Sequence, residues 1–195
     1  VFLNWVSTRT TTRPVGYLLP PAMAGVVPLL MDHDIAVYRF SGAATIDAEV
    51  YYATSVRRDS YFQGHYLQSV EVEKRAETVE AAEGWFWVPT AQSRANLISY
   101  LMEPETDDNL ITWGWTDHML QVTPGSVDEV MADMLGDRDP GSLTAEEREA
   151  IQNRAQQIMD RTQQVPMMRV LEHPDLPVLR VAPYYGPLRT RFYRR

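Results

Sequence analysis

The feature that most constrains the fold is an alternation of apolar and polar residues between Thr45 and Val79. Before a predicted turn at Gly64, the inner positions are Ile46, Ala48, Val50 and Tyr52, and the outer ones are Asp47, Glu49 and Tyr51. A period of two residues is typical of antiparallel strands with one face in solvent. The acidic residues after the turn are therefore interpreted as a solvated face and not as an acidic site: Glu71, Glu73, Glu77, Glu80 and Glu83.

Two segments on either side of this region share the order glycine, apolar strand, proline and helix. In the first, GYLLPP leads into the helical pattern AMAGVVPLLM, where Pro28 is expected to kink the helix or end it early. In the second, a strand over 85–88 ends at Pro89, and an amphipathic helix follows over 92–102. The similarity predicts an internal pseudo-repeat.

The C-terminal part of the sequence predicts a helical extension. Ser126 with Glu129, and Thr144 with Glu147, have the spacing of capping boxes, and apolar residues follow each pair at helical intervals. From Pro166 the chain is punctuated by prolines and is predicted to wrap along the surface as an extended strap.

Together these patterns predict an α+β fold, with a mixed β-sheet, packed helices and a helical C-terminal extension. The predicted organisation is an α+β domain over 1–120, followed over 121–195 by the helical extension and the C-terminal strap, packed on the first part.

The composition excludes several classes of function. The chain has 195 residues and a formal net charge of −8, which argues against a nucleic-acid partner because phosphate neutralisation needs a basic surface. No apolar run approaches the roughly 20 residues that span a bilayer, so no membrane span is predicted and a soluble protein is expected. The absence of cysteine excludes disulfides and thiolate nucleophiles. Because the sequence begins at Val1 and not at methionine, it is expected to be a processed product or a piece of a longer protein.

No catalytic or metal-binding motif stands out. The four histidines are His33, His65, His118 and His173, and none has the spacing of a zinc-ligand pair. The triplet Asp32-His33-Asp34 could touch a cation, but adjacent residues on a turn rarely converge on one ion. No nucleophile elbow and no glycine-rich phosphate loop are present. A hydrolase that uses scattered carboxylates stays open, although nothing marks out two of them.

The candidate ligand-binding residues are four tryptophans: Trp85, Trp87, Trp113 and Trp115. Strand alternation would place Trp85 and Trp87 on one face and Phe86 on the other, and Trp113 and Trp115 would share a face if ITWGW is extended. Half-exposed indoles could stack on sugars or peptides. The competing interpretation is that they supply buried area to a small core.

The run WFWVPTAQSRANLISYLMEPETDDNLITWGWTDHML resembles a segment C-terminal to the catalytic domain in bacterial zinc carboxypeptidases of the carboxypeptidase A-like metallopeptidase family. The pieces RPVGYLLPP, LLMDHDIAVYRF and YFQGHY resemble the same region, in the same order, so that the match covers roughly Arg13 to Leu120. Asp34 stands where that family usually has glycine, and aspartate tolerates the left-handed turn that glycine would make.

The resemblance implies a non-catalytic C-terminal domain that supports a catalytic domain or shapes access to its cleft. The zinc ligands, the carboxylate-binding arginine and the general-base glutamate of the family cannot be placed on this chain, so its catalytic residues and its own metal site are both expected to be none. The implied partner is the catalytic zinc-peptidase domain of the same polypeptide, which would hold the zinc. The alternative is an independent glycan- or peptide-binding module that uses the tryptophans. A bacterial protein is implied, and both the cytoplasm and an exported or periplasmic location stay open.

Overall fold

The structure is a computed structural model, and it describes residues 10–181. Within them a seven-stranded antiparallel sheet is accompanied by four α-helices. The strands are β1 (Gly16–Leu19), β2 (Tyr38–Phe40), β3 (Ala44–Phe62), β4 (His65–Ala81), β5 (Phe86–Pro89), β6 (Gln163–Val170) and β7 (Val178–Arg180). The helices are α1 (Val26–Asp32), α2 (Ala95–Met102), α3 (Val127–Leu135) and α4 (Ala145–Met159), and short 3-10 turns occupy Pro21–Met23 and Pro140–Ser142. The α+β prediction is confirmed, and the predicted mixed sheet is antiparallel.

The strand order is β4-β3-β6-β1-β5-β2-β7. Contacts between Cα atoms divide the chain into two compact units. Of the described residues, the first unit contains 10–49, 77–99 and 168–181, and the second contains 50–76 and 100–167. The predicted division at residue 120 stays a prediction. Residues 10–181 contain no helix long and apolar enough to cross a lipid bilayer.

Strand β1 lies inside the sheet of the first unit. It pairs antiparallel with β5, where Gly16 is opposite Pro89, and with β6, where Gly16 is opposite Val170. All four of its residues are buried. A strand with neighbours on both edges and both faces covered has no wet side, which explains why its sequence is a continuous apolar run.

Strand β6 corrects the prediction of a surface strap that begins at Pro166. The strand includes Pro166, and its residues 165–170 are all buried. Pro166 lies outside the part of the strand that pairs with β1, which is 168–170. The strand also buries Arg169, of which 2% is exposed, and Nη1 of Arg169 donates to Oε2 of Glu49 at 2.8 Å. Glu49, assigned from the alternation to the wet face, is therefore half-buried by this ion pair.

Helix α1 resolves the conflict that Pro28 poses. Pro28 is the third residue of α1, and N–H groups in the first turn have no acceptor within their own helix. Its missing N–H therefore costs no helical hydrogen bond. The helix ends at a His33 cap, and the next residue, Asp34, has φ 59°, which is the left-handed conformation predicted for this position.

Strands β3 and β4 form the predicted hairpin. Gln63 and Gly64 form its turn with φ 47° and 90°, as two-residue turns of this kind require. Ile46, Ala48 and Val50 point inward as predicted, but the alternation then changes phase. Tyr51 is 1% exposed and Tyr52 is half-buried, the reverse of the assignment from the pattern. Tyr51 is turned inward because its hydroxyl donates to the buried Glu103.

The predicted C-terminal helices are α3 and α4, which pack against each other. The Ser126 hydroxyl accepts from N of Glu129, and Thr144 and Glu147 form a complete capping box. Hydrogen bonds from Arg138 and from Thr144 lower the pKa of Glu147 from 4.5 to about 2. These contacts fix the start of α4 and tie the preceding loop to it.

Candidate functional site

Trp85 and Trp87 belong to the first unit, and the structure places them in different surroundings. Trp87 lies in β5 and is 7% exposed, whereas Trp85 precedes the strand and is half-buried. Phe86 is 8% exposed, so both faces of this strand are buried at Phe86 and Trp87. The reason is that β5 has β1 on one edge and β2 on the other and both of its faces are covered.

The indole of Trp87 covers Gly16 on the neighbouring strand. An ideal Cβ at residue 16 would lie 2.8 Å from Cζ3 of Trp87 and closer still to two other carbons of the ring. Side chains essentially never approach so closely, so glycine is needed for the ring to lie flat on the strand. Trp87 is thus buried and packs against the backbone of β1.

Trp113 and Trp115 belong to the second unit and lie in turns, not in an extended segment. The condition under which they would share a strand face is therefore not met. Gly114 between them has φ 75°. Trp113 is half-buried and its Nε1 donates to Oδ1 of Asp108 at 3.1 Å, whereas Trp115 is 37% exposed. A platform that joins all four indoles stays a prediction.

The tip of the β3–β4 hairpin carries an aromatic cluster that the sequence reasoning missed. Tyr61, Phe62 and Tyr66 are 63%, 50% and 54% exposed. Tyr61 and Tyr66 meet edge to face with ring centroids 5.0 Å apart. Phe62 and His65 lie beside Trp113, at centroid distances of 6.4 and 6.3 Å. The signal was available: aromatics that flank a two-residue turn lie at the end of a hairpin, where no second layer covers them.

The segment after α2 is held by buried polar side chains. Asn109 is 1% exposed and its amide makes four bonds: Nδ2 donates to the carbonyls of Pro104 and Thr106, and Oδ1 accepts from N of Ile111 and of Thr112. Glu103 is 7% exposed and accepts from the Tyr51 hydroxyl. The sequence pattern Glu-Pro-Glu gave no signal that Glu103 is buried.

In the first unit, the side chain of Gln92 also holds the chain in place through hydrogen bonds to main-chain groups. Its Oε1 accepts from N of Ala36 at 2.7 Å, and its Nε2 donates to the carbonyls of Ala36 and Pro89. The side-chain amide thus bonds to both main-chain groups of Ala36, as a paired strand residue would, and joins the end of β5 to the segment that precedes β2. Helix α2 begins only after it, at Ala95, which is later than the predicted start.

A shallow hollow of about 200 Å³ lies in the first unit, beside α1 and β7. Its lining consists of Met31, Asp34, Ile35, Ala36, Arg180 and Val181. The lining thus combines apolar residues with one acidic and one basic residue. In residues 10–181, no group of three or more histidine, aspartate or glutamate side chains is arranged to hold a metal ion.

Comparisons of the chain with protein-family models, with curated proteins and with solved structures find no match.

Proposed function

We propose that this chain is the non-catalytic C-terminal domain of a zinc carboxypeptidase-like protein, in which it supports the catalytic domain or shapes substrate access. The observation that carries the proposal is that polar side chains in the resembling segments form hydrogen bonds within the chain itself. Gln92 and Glu103 both belong to those segments, and both direct their hydrogen bonds to the chain itself.

These hydrogen bonds support a scaffolding function, because they occupy the donors and acceptors that a catalytic group would need for its substrate. A catalytic carboxylate or amide must keep a lone pair or an N–H for the substrate. Asn109, which lies inside the segment Asp-Asp-x-Leu, has all of its amide hydrogen bonds occupied by main-chain groups. Residues of this kind maintain a loop, and the chemistry then belongs to the domain that the resemblance implies.

In that parent polypeptide the zinc would polarise the peptide carbonyl and a glutamate would activate water. This chain would contribute surface and stability to the catalytic domain. Its effect on turnover would therefore be indirect, through the population of folded enzyme or through the KM for peptide substrates.

The first test is to incubate the chain alone with peptide and ester substrates, with and without added zinc. We expect no turnover. Turnover that a chelator abolishes would contradict the proposal directly. The gene upstream of Val1 gives a second test, because the proposal requires that it encode the histidine–glutamate zinc pair of a catalytic domain.

A matched pair of variants in the parent polypeptide separates scaffolding from chemistry. Gln92→Ala removes the partners of main-chain groups at Ala36 and Pro89 and should cost about 1–3 kcal/mol of stability. Gln152→Ala, at an exposed position of α4, should cost less than about 0.5 kcal/mol. We expect Gln92→Ala to lower the Tm of the parent while its folded fraction keeps the wild-type kcat. A large loss of kcat in fully folded Gln92→Ala protein would instead assign Gln92 to the reaction.

The second candidate function is an independent glycan- or peptide-binding module, and the exposed rings of the hairpin tip favour it. Tyr61 and Tyr66 are inclined by 66°, and Phe62 and Trp113 by 55°. The tip therefore presents inclined rings and not one flat stacking face.

Titration with muropeptides and with oligosaccharides, followed by tryptophan fluorescence, tests the module. If the tip is the site, Tyr66→Ala should abolish the response and Tyr100→Ala, an exposed tyrosine of α2, should leave it unchanged. An equal response from both variants, or none from the wild type, would exclude the module.

A further inference from the structure

The hollow beside α1 and β7 carries two charged residues. Its lining includes Asp34, with 82% of its side chain exposed, and Arg180, which lies in β7. Among residues 10–181, the guanidinium of Arg180 has no hydrogen-bond or ion-pair partner. The hollow therefore offers the Asp34 carboxylate to a cationic group and the Arg180 guanidinium as a donor of two parallel hydrogen bonds.

The lining also contains apolar residues. Met31 is half-buried and Ile35 is buried, so a hydrocarbon group in contact with Met31 would leave water. A methionine at such a position adapts its shape to different ligands. One acidic, one basic and several apolar residues in a single lining match a ligand that carries both charges and a short hydrocarbon group.

The backbone at Asp34 adds a second observation. Its φ of 59° is a conformation in which glycine has no steric cost, and a non-glycine residue there costs of order 1 kcal/mol. The carboxylate of Asp34 is only loosely compensated, because Nη2 of Arg94 lies 3.4 Å away and the pair is exposed. The fold therefore holds a carboxylate at the lip of the hollow at a position where glycine would be less strained.

We propose that this hollow binds an α-amino acid with an apolar side chain through both of its charges. Asp34 accepts hydrogen bonds from the ammonium group, and Arg180 donates to the carboxylate. Met31 contacts the hydrocarbon side chain. A volume of about 200 Å³, the liquid share of roughly seven waters, suits a ligand of this size. The proposal does not depend on the accessory-domain function, because binding is a property of this chain alone.

The experiment is an NMR titration of the full chain with L-leucine, followed through backbone amide shifts. We expect a Kd on the order of 1 mM, as for a small ligand in an open site, with shifts confined to the lining residues and their neighbours. N-acetyl-L-leucine lacks the ammonium and L-leucinamide lacks the carboxylate. Each should bind at least about tenfold more weakly, as expected when a charged hydrogen bond is lost.

Variants locate the two charges. Arg180→Gln should weaken leucine binding about tenfold, and Arg161→Gln, an exposed arginine after α4, should not change it. Asp34→Gly should weaken binding equally while it keeps or raises the Tm, since glycine relieves the left-handed strain. The amide spectrum of each variant shows that it is folded. Equal affinity for leucine and both blocked analogues, equal affinity of wild type and Arg180→Gln, or no shift at about 20 mM leucine, roughly twenty times the expected Kd, would each overturn the proposal.

Discussion

The contact between Trp87 and Gly16 gives the most quantitative prediction for this fold. In Gly16→Ala the new Cβ would lie 2.8 Å from Cζ3 of the indole and closer to two other ring carbons. Because Trp87 is 7% exposed, its ring has little room to move away. Overpacking of this kind costs about 1–3 kcal/mol, which for a chain of this length lowers Tm by roughly 2–12 °C. Urea denaturation followed by circular dichroism measures the change.

Gly25→Ala is the matched control for this prediction. Residue 25 has φ −61°, and no atom lies within 4 Å of a Cβ built there, so its substitution should change stability by less than about 0.5 kcal/mol. Adding Trp87→Phe to Gly16→Ala should recover part of the loss, with a coupling energy of about 1 kcal/mol or more. If Gly16→Ala is as stable as Gly25→Ala, the proposed packing of the indole on β1 is wrong.

Three further predictions concern other parts of the chain. Tyr51→Phe leaves the buried carboxylate of Glu103 without its hydroxyl donor and should lower the free energy of unfolding by about 1–3 kcal/mol, whereas Tyr61→Phe at the exposed tip should change it by less than about 0.5. The pKa of Glu147 is lowered to about 2, so the stability that its ionised form contributes should be complete above pH 4.5 and be lost as the pH falls through about 2. Carboxyl NMR titration, with Glu147→Gln as reference, measures this pKa. A titration midpoint near 4.5 would contradict the prediction. Iodide should quench Trp115 more strongly than Trp87 in single-tryptophan variants, and equal quenching would contradict the assigned burial.

The elements with a clear period were predictable from the sequence. The hairpin, its turn at Gly64 and the two capped helices all follow local rules, in which the residues that determine the structure lie within a few positions of each other. The left-handed conformation of Asp34 was expected from the resemblance, because the family usually has glycine at this position. These features need no knowledge of which strand lies beside which.

Several of the failures come from long-range contacts. The change of phase at Tyr51 depends on a hydroxyl acceptor 52 residues away, at Glu103. The burial of β6 depends on its pairing with β1, and prolines alone suggest a surface segment. The same limit applies to the candidate sites, because the hollow joins Asp34 to Arg180 across the length of the first unit's sequence. A single sequence does not reveal which distant side chains converge.

The interleaved order of the segments has a consequence for synthesis of the protein. Strand β1 leaves the ribosome early, but one of its two neighbours, β6, is translated only after about 140 further residues. Until then the nascent chain must keep an apolar strand with an open edge, which is a state that invites pairing with other chains. Slow folding and a need for chaperones during translation would follow from this topology, and a cut of the gene at residue 120 would leave β1 permanently without its late partner.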